Sequence, residues 1–271
     1  MFMTEYNTFL YQHVGEIVTL QLNRPEKGNC INVTFCRELE RLVKSLVGRE
    51  DVKVISISAQ GNVFSVGGDI ADFSANSDNI EALLEDMTCH LHNAISLMSR
   101  INVPVIVSVN GVAAGGGLGL VAAADIVIAA DSARFVSAYT QSGLVPDTAL
   151  SYYLPRHIGQ RRAAEMILCN RMLTAKEALD WGLVNCVVPV EKLKTVSDQY
   201  AQKFVAGSAT ACGAAKRLVN LSFSNNLEEQ MSLEARAMID AGTSEDGREG
   251  VSAFLNKQDP IFDKPKVWIA E

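Results

Sequence analysis

Two glycine-rich segments are the first features of the sequence whose residue types could do chemistry. Gly111 to Gly119 reads GVAAGGGLG, and Phe64 to Ile70 reads FSVGGDI. A glycine turn between a strand and a helix leaves backbone N–H groups unpaired and facing an anion. The first segment lacks both the Lys-Ser/Thr of a phosphate-binding loop and the spacing of the dinucleotide fingerprint. We expect the two turns either to stabilise an oxyanion that forms during a reaction or to serve only as packing points.

Asp147 is the first candidate acid or base, in the sequence Leu-Val-Pro-Asp-Thr. An aspartate after proline is also typical of a turn or of a helix N-cap, so both interpretations stand at this stage. Tyr139 lies eight residues earlier. We expect it either to pack in the core or to donate its hydroxyl to Asp147 or to a substrate.

His92 is the second candidate, on a helix predicted over residues 79–100. His90 is two residues away, so only one of the two histidines can point into a given pocket. His92 is equally compatible with a catalytic base and with a surface or interface residue. Cys89 is adjacent, but Cys-His-x-His on one helix gives no tetrahedral ligand set, so we predict no metal site.

Composition restricts the class of protein. The chain has 271 residues, 48% of them hydrophobic, and 24 basic against 31 acidic side chains, a net charge of −7. This composition folds, and its acidity argues against nucleic-acid or anionic-membrane partners. The uncharged stretch from Ile101 to Ala124 contains Pro104, Asn110 and several glycines, which favours a strand, a turn and a buried helix over a membrane span. Six cysteines without CxxC spacing, and no visible secretory signal, predict reduced thiols in the cytoplasm.

The predicted elements alternate between strands and helices, which indicates an α/β fold. Strands are expected near residues 16–23, 52–59, 105–109 and 125–129, with helices from 32 and over 79–100. Thr174 to Glu177 forms a predicted capping box, and Gly182 ends that helix. We expect residues 1–200 to form the core and 201–271 to form a helical region over the core or a neighbouring subunit, with an irregular tail.

Taken together, these motifs resemble the crotonase, or enoyl-CoA hydratase/isomerase, superfamily. The resemblance rests on FSVGGDI, VNGVAAGGGLGLVAAADIVIAADSARF, GLVPDTALSYYLPRHIG, LTAKEALDWGLVN and GTSEDGREGVSAF, and spans nearly the whole chain. It implies a crotonase-like spiral of ββα units with a C-terminal helical trimerisation region, and a homotrimer or a dimer of trimers. It also implies an acyl-CoA thioester as substrate, with no covalently bound cofactor. The two amides that hold the thioester enolate fall on Gly68 and Gly116.

The resemblance leaves the reaction open. The two glutamates of hydratases align with Gly119 and Tyr139, which argues against simple hydration. In members that move double bonds, an aspartate at the position of Asp147 shuttles the proton, and this is the first hypothesis. The second is a 4-chlorobenzoyl-CoA dehalogenase-like hydrolysis with Asp147 as nucleophile and His92 as base, although Leu91 stands where that branch has an aromatic side chain. A third hypothesis is a non-catalytic acyl-CoA binder.

The resemblance also implies contacts to substrate and CoA. Arg24 and Lys27 are candidate phosphate partners in the segment after the first predicted strand. Phe254 and Lys257 match positions that touch CoA in relatives, sometimes that of an adjacent subunit. The remaining expected contacts are Asn29, Ile31, Ser65, Asp69, Ile70 and Gly115.

Overall fold

The computed structural model describes residues 6–262, which form ten β-strands and eleven α-helices. The strands are β1 (Phe9–Val14), β2 (Ile17–Leu22), β3 (Val54–Ala59), β4 (Val63–Ser65), β5 (Val105–Val109), β6 (Val112–Ala114), β7 (Ile126–Ala130), β8 (Arg134–Val136), β9 (Leu173–Thr174) and β10 (Cys186–Val188). The helices are α1 (Val33–Leu46), α2 (Ile70–Ala75), α3 (Ile80–Arg100), α4 (Gly116–Ala122), α5 (Leu150–Ile158), α6 (Gln160–Leu168), α7 (Ala175–Trp181), α8 (Leu193–Ala206), α9 (Ala209–Leu221), α10 (Leu227–Thr243) and α11 (Glu245–Leu255).

The strands form two sheets. The larger has the order β1-β2-β3-β5-β7-β10, in which only β1 and β2 pair antiparallel. The smaller has the order β4-β6-β8-β9, in which only β8 and β9 pair antiparallel. Three times along the chain, a strand of the larger sheet is followed by a short strand of the smaller one and then by a helix. The expected spiral of ββα units is therefore confirmed.

The smaller sheet was not predicted from the sequence because its strands are short. β4, β6 and β8 have three residues each. A period of two cannot be recognised over three residues, since strand patterns need four or more. β1 and α2 were also not predicted, whereas the strands and helices expected near 16–23, 32–46, 52–59, 79–100 and 105–109 are present. These short strands matter because they carry the chain into the turns of the candidate site.

The uncharged stretch from Ile101 to Ala124 is buried inside the fold. All five residues of β5 are buried between β3 and β7, and all seven residues of α4 are buried. A strand that is covered on both faces reads as a continuous apolar run. Between residues 6 and 262, the helices lack the combination of length and apolar character that a membrane crossing requires.

Local capping signals behave as expected. The Thr174 hydroxyl accepts from the Glu177 amide while the Glu177 carboxylate accepts from the Thr174 amide, which completes the capping box. Gly182 ends α7 with a φ of 87°. These contacts lie within one helical turn, so the sequence is sufficient to predict them.

The C-terminal helices differ from the core. α8 packs on the larger sheet through Leu193 and Ala201, and it spans the expected boundary at residue 200. α10 buries none of its residues, and α11, which was not predicted, buries only Ala253. Residues 263–271 of the expected C-terminal region, with most of the expected irregular tail, lie outside the described residues.

Candidate active site

Two glycine turns that are far apart in the sequence lie in contact at the ends of β4 and β6, which pair with each other. Gly67 in the first turn and Gly115 in the second have φ angles of 89° and 51°. A Cβ atom on Gly67 would lie 3.0 Å from the carbonyl oxygen of Ala114 and 3.2 Å from the amide nitrogen of Gly116. Gly67 therefore meets two demands at once, a left-handed backbone and a close approach to the second turn.

The amides of Gly68 and Gly116 are both free to bind an anion. The Ile31 amide donates to the Gly67 carbonyl at 2.7 Å, and the Asp69 amide donates to the Ile31 carbonyl at 2.9 Å. In this parallel bridge, Gly68 directs its own N–H away from Ile31. Gly116 is the first residue of α4, where N–H groups lack an acceptor within the helix. Neither amide has an acceptor among the described residues.

Both glycines border a small cavity of about 380 Å³. Buried Met87 and Leu91 of α3 form its deep wall, and exposed Ile70 and Val145 lie at its mouth. Its further lining includes Ile31, Val66, Phe73, Leu84, Thr88, Gly115, Tyr139, Gln141, Leu144, Asp147 and Thr148. Sequence reasoning missed Phe73, Met87 and Thr148, because no local pattern distinguishes cavity-lining apolar residues from core residues.

Asp147 contributes the only carboxylate to the lining of this cavity within the described residues. Its Oδ1 accepts hydrogen bonds from the Tyr139 hydroxyl and, at 2.7 Å, from the Thr148 hydroxyl. Its side chain is not an N-cap, since α5 begins at Leu150 after Ala149 and has no side-chain cap. Of the roles open from the sequence, the turn interpretation describes its backbone, whose carbonyl accepts from the Leu150 amide at 2.9 Å. Asp147 borders both the small cavity and a larger groove.

Tyr139 lies beside the carboxylate and acts as a hydrogen-bond donor. Burial, together with the negative charge of Asp147 and the hydrogen bond to it, raises the pKa of Tyr139 well above its usual value. The hydroxyl therefore keeps its proton at neutral pH. Of the alternatives that the sequence left open, the structure shows the donation to Asp147.

The backbone around these two residues is strained. Ala138, Thr148 and Ala149 have φ angles of 60°, 56° and 55° although none is glycine. The left-handed region is unfavourable for residues with a Cβ, and most of all for a β-branched residue such as threonine. Such strain concentrates at functional sites, where the surrounding structure holds it in place.

Gly119 faces Thr148 across the start of α4. A Cβ atom at Gly119 would lie 2.4 Å from the Cβ of Thr148 and 3.0 Å from its carbonyl oxygen. Real Cβ contacts are longer, so no side chain fits at position 119 while Thr148 keeps its place. The two expected positions of hydratase glutamates therefore hold a packed glycine and the tyrosine that donates to Asp147.

His92 lies on the other side of the Asp147 loop. It is exposed, and its Nε2 accepts from the Thr148 amide at 3.3 Å. It borders a larger groove of about 1200 Å³, which Asp147 also borders, and it is not part of the small-cavity lining. His90 instead bridges Glu40 at 2.5 Å and Asp86 at 3.1 Å on the helix surface. Within residues 6–262, no group of His, Cys, Asp or Glu side chains has the arrangement of a metal site.

Four residues that were expected to contact CoA or substrate also hold the loop after β2 in place. Arg24 pairs with Asp69 at 3.4 Å and donates to the Cys30 carbonyl at 3.3 Å. The Asn29 amide group donates to the carbonyls of residues 60 and 63 at 2.9 Å, and the Ser65 hydroxyl donates to the Asn29 carbonyl. Burial and the hydrogen bond to Asp69 raise the pKa of the Cys30 thiol to about 11, so it remains a protonated donor.

The other expected contacts divide into two groups. Ile31, Ile70 and Gly115 line the small cavity. Lys27 is exposed at the end of a 3-10 turn, while Phe254, 82% exposed, and Lys257 lie near the end of α11 and border neither the cavity nor the groove.

Several known proteins are similar to this chain in sequence or in structure. A trans-2-decenoyl-[acyl-carrier-protein] isomerase of Streptococcus mutans is 32% identical over 95% of this chain and 98% of its own. A probable enoyl-CoA hydratase of Rhodobacter capsulatus is 36% identical over 95% and 98%, and a 4-chlorobenzoyl coenzyme A dehalogenase of Arthrobacter is 29% identical over 91% and 90%. Among solved structures, an enoyl-CoA hydratase/isomerase of Mycobacterium abscessus superposes with a TM-score of 0.89, at 33% identity over 94% and 99% of the two chains.

The family itself is defined by a match that covers almost the whole chain. The sequence profile of enoyl-CoA hydratase/isomerase matches residues 12–265. That range includes both glycine turns, the Asp147 loop and the C-terminal helices. The relatives comprise isomerases, hydratases and dehalogenases, as the resemblance implied. With two free amides and one carboxylate at the border of the same cavity, and with this match in sequence and fold, the chain belongs to the enoyl-CoA hydratase/isomerase family of the crotonase superfamily.

Proposed function

We propose that the protein is an enoyl-thioester isomerase that shifts a carbon–carbon double bond of an acyl-CoA, with Asp147 as the single acid and base. One observation carries the proposal. Asp147 is the sole carboxylate bordering the small cavity in the described part of the chain, and the free amides of Gly68 and Gly116 border the same cavity. A double-bond shift needs one group that removes a proton and returns it, whereas hydration needs two such groups.

The reaction would follow from this placement. With the thioester oxygen between the amides of Gly68 and Gly116, Asp147 takes a proton from an acyl carbon, and the electron pair moves toward that oxygen. The amides stabilise the resulting enolate charge. Asp147 then returns the proton to the other end of the conjugated system, the electron pair forms the shifted double bond, and no water or cofactor is consumed.

The cavity also indicates the acyl group. Met87, Leu91, Leu84 and Phe73 supply apolar walls, and the Thr88 hydroxyl already donates to the Leu84 carbonyl at 2.7 Å. Among the described residues, no Lys, Arg or His side chain lines this cavity, so it offers no cation to a polar acyl tail. We expect an apolar acyl chain of medium length, and a poor fit for hydroxylated or carboxylated chains.

The C-terminal helices support an assembly of several subunits. α10 buries no residue within one chain, and α10 and α11 expose Met238, Ile239, Phe254 and Leu255 by 63% to 82%. Exposed apolar side chains in such number mark an interaction surface. We propose that this region joins copies of the chain into a homotrimer or a dimer of trimers. We also place the enzyme in the cytoplasm, where its six free cysteines would stay reduced.

Hydrolysis of a haloaryl thioester is the weaker alternative. It needs His92 as a base, but the Nε2 lone pair of His92 already accepts the Thr148 amide proton, and the side chain borders the groove and not the small cavity. The cavity walls are mostly aliphatic, so a benzoyl ring would lack an aromatic cage. Chloride release from 4-chlorobenzoyl-CoA would identify this reaction.

Substitution of Asp147 tests the proposal directly. With 3-enoyl-CoA substrates, Asp147→Asn should lower kcat about 1000-fold or more, because the amide cannot take a proton. Asp180→Asn is a matched control, since Asp180 is exposed on α7, far from the cavity lining in sequence, and pairs with Lys176. Full turnover by Asp147→Asn would exclude the mechanism. Tight acyl-CoA binding by the wild type without turnover of enoyl or haloaryl substrates would instead identify a non-catalytic binder.

A further inference from the structure

We propose that Thr148 is a positioning residue which, together with Tyr139, holds one oxygen of Asp147 and so presents the other oxygen to the substrate. The inference rests on the proposed isomerase function. It adds an account of how the carboxylate of Asp147 is oriented, because naming Asp147 as the acid and base does not explain its orientation.

The hydrogen bonds to Asp147 are asymmetric. Both hydroxyls, of Tyr139 and Thr148, donate to Oδ1, and Oδ2 accepts from no group among the described residues. The terminal torsion of an aspartate is broad and roughly two-fold, so an unanchored carboxylate exchanges its oxygens. Two donors on one oxygen oppose that rotation, because turning the carboxylate would break both hydrogen bonds. Oδ2 is thereby defined as the oxygen that is available for proton transfer.

Two contacts and complete burial hold Thr148 in place. Its backbone amide donates to His92 Nε2 at 3.3 Å, its methyl side packs against Gly119, and its side chain is fully buried. A Cβ at Gly119 would meet its Cγ2 at 2.6 Å. α4 can approach this closely only because position 119 has no side chain.

The backbone conformation of Thr148 also requires an explanation. Its φ of 56° is one that glycine or asparagine would adopt at a lower cost, and threonine is β-branched. A side chain kept at a strained position indicates that the side chain has a use. The hydrogen bond from its hydroxyl to Asp147 is that use.

The same hydroxyls lie beside the second free amide. A Cβ atom at Gly116 would be 3.2 Å from the Thr148 hydroxyl oxygen and 3.8 Å from that of Tyr139. The Tyr139 and Thr148 hydroxyls, which both donate to Asp147, therefore lie close to the glycine whose amide would hold the thioester oxygen. Both hydroxyls come from the loop between β8 and α5, the same loop that carries Asp147.

Three variants test the positioning role. Thr148→Val keeps the shape and removes the hydroxyl, and Thr148→Ser keeps the hydroxyl and removes the methyl. We expect Thr148→Val to lower kcat by about tenfold to hundredfold with KM changed less than about threefold, because a misaimed base costs turnover and not ground-state binding. Thr148→Ser should recover most of that loss. The combined Thr148→Val and Tyr139→Phe variant should approach the residual rate of Asp147→Asn.

The outcomes separate the two proposals. Equal kcat losses in Thr148→Ser and Thr148→Val, at unchanged melting temperature, would show that the hydroxyl is not responsible and would overturn the positioning role. Wild-type kcat in Thr148→Val would overturn it as well, while an inactive Asp147→Asn would leave the isomerase proposal intact. An active Asp147→Asn would reject the isomerase proposal by itself.

Discussion

The small cavity and the larger groove share Asp147 and differ in nearly everything else. The cavity combines apolar walls with free amides and a single carboxylate. The groove is rich in cations, but Lys216 is bound to Asp125 at 2.7 Å and to two backbone carbonyls, and Arg156 stacks on Tyr152. Groups that already have partners hold a structure together, whereas unpaired groups beside a cavity can act on a ligand. Under the proposed function, the cavity side carries the chemistry and the groove side supports it.

Three substitutions, at Gly119, Met87 and His92, probe the difference between the two regions. Substitution of Gly119, which packs against Thr148, should have the largest effect of the three. Gly119→Ala places a Cβ 2.4 Å from that of Thr148. Overpacking of this kind costs about 1–3 kcal/mol and moves the neighbouring backbone. We expect kcat to fall about 100-fold, because the displaced Thr148 no longer holds Asp147. Steady-state kinetics and thermal unfolding measure the two consequences.

Gly242→Ala is the control for this substitution. A Cβ there meets nothing within 4 Å, and alanine favours the helix that contains it. The free energy of unfolding of the Gly242→Ala variant should rise by up to about 1 kcal/mol, and its kcat should be unchanged. Equal kinetics of the two variants would contradict the packing of Gly119 on Thr148.

Narrowing the cavity should have an intermediate effect that depends on the acyl chain. Met87→Trp fills part of the deep wall, so kcat/KM for longer apolar chains should drop about tenfold while short chains are spared. Phe223→Ala alters the groove and should leave the chain-length profile unchanged. Competition assays with acyl-CoAs of increasing length give the profile. An unchanged profile in Met87→Trp would place the acyl group elsewhere.

His92 should give the smallest effect. It supports Thr148 through one hydrogen bond at an exposed position, where water replaces a lost acceptor. His92→Ala should lower kcat about threefold, an effect of roughly 0.7 kcal/mol. His157→Ala, on the same groove but bonded to the Ala122 carbonyl, should have none. A loss of 1000-fold or more in His92→Ala would favour the hydrolytic reaction and assign chemistry to the groove.

The predictions that depended on neighbours in sequence were the accurate ones. The Thr174 capping box, the Gly182 stop, the helix that begins after Asn32 and the strand over 105–109 are all present. The three helix signals depend on contacts within a few residues, and the strand was recognised from a local apolar run although its pairing partners β3 and β7 lie farther away along the chain. The three-residue strands of the second sheet depend on pairing partners far along the chain, and their sequences carry no signal of it.

The candidate site residues show the same contrast between local signals and contacts with distant residues. The glycine turns and Asp147 were recognisable because their residue types are unusual at those places. Arg24 was a candidate phosphate partner, and nothing in the sequence indicated its ion pair with Asp69, which is 45 residues away. Thr148 was overlooked because threonine is common in loops, although a hydroxyl directly after Pro-Asp could have drawn attention to it.

By itself, the sequence indicated an α/β fold and the two glycine turns from residue types and local order, and its resemblance to the crotonase superfamily implied the family, the spiral of ββα units and Asp147 as a candidate. Only the tertiary structure decided that Gly67 touches Gly116, that Tyr139 and Thr148 hold the same oxygen of Asp147, and that His92 lies on the opposite side of that loop. For the Gly67 and His92 contacts the physical reason is distance along the chain, whereas Tyr139, Asp147 and Thr148 share one loop whose conformation the surrounding structure imposes. Hydrogen bonds and close contacts between loops are set by how the two sheets and α3 pack together, and no local pattern records that packing.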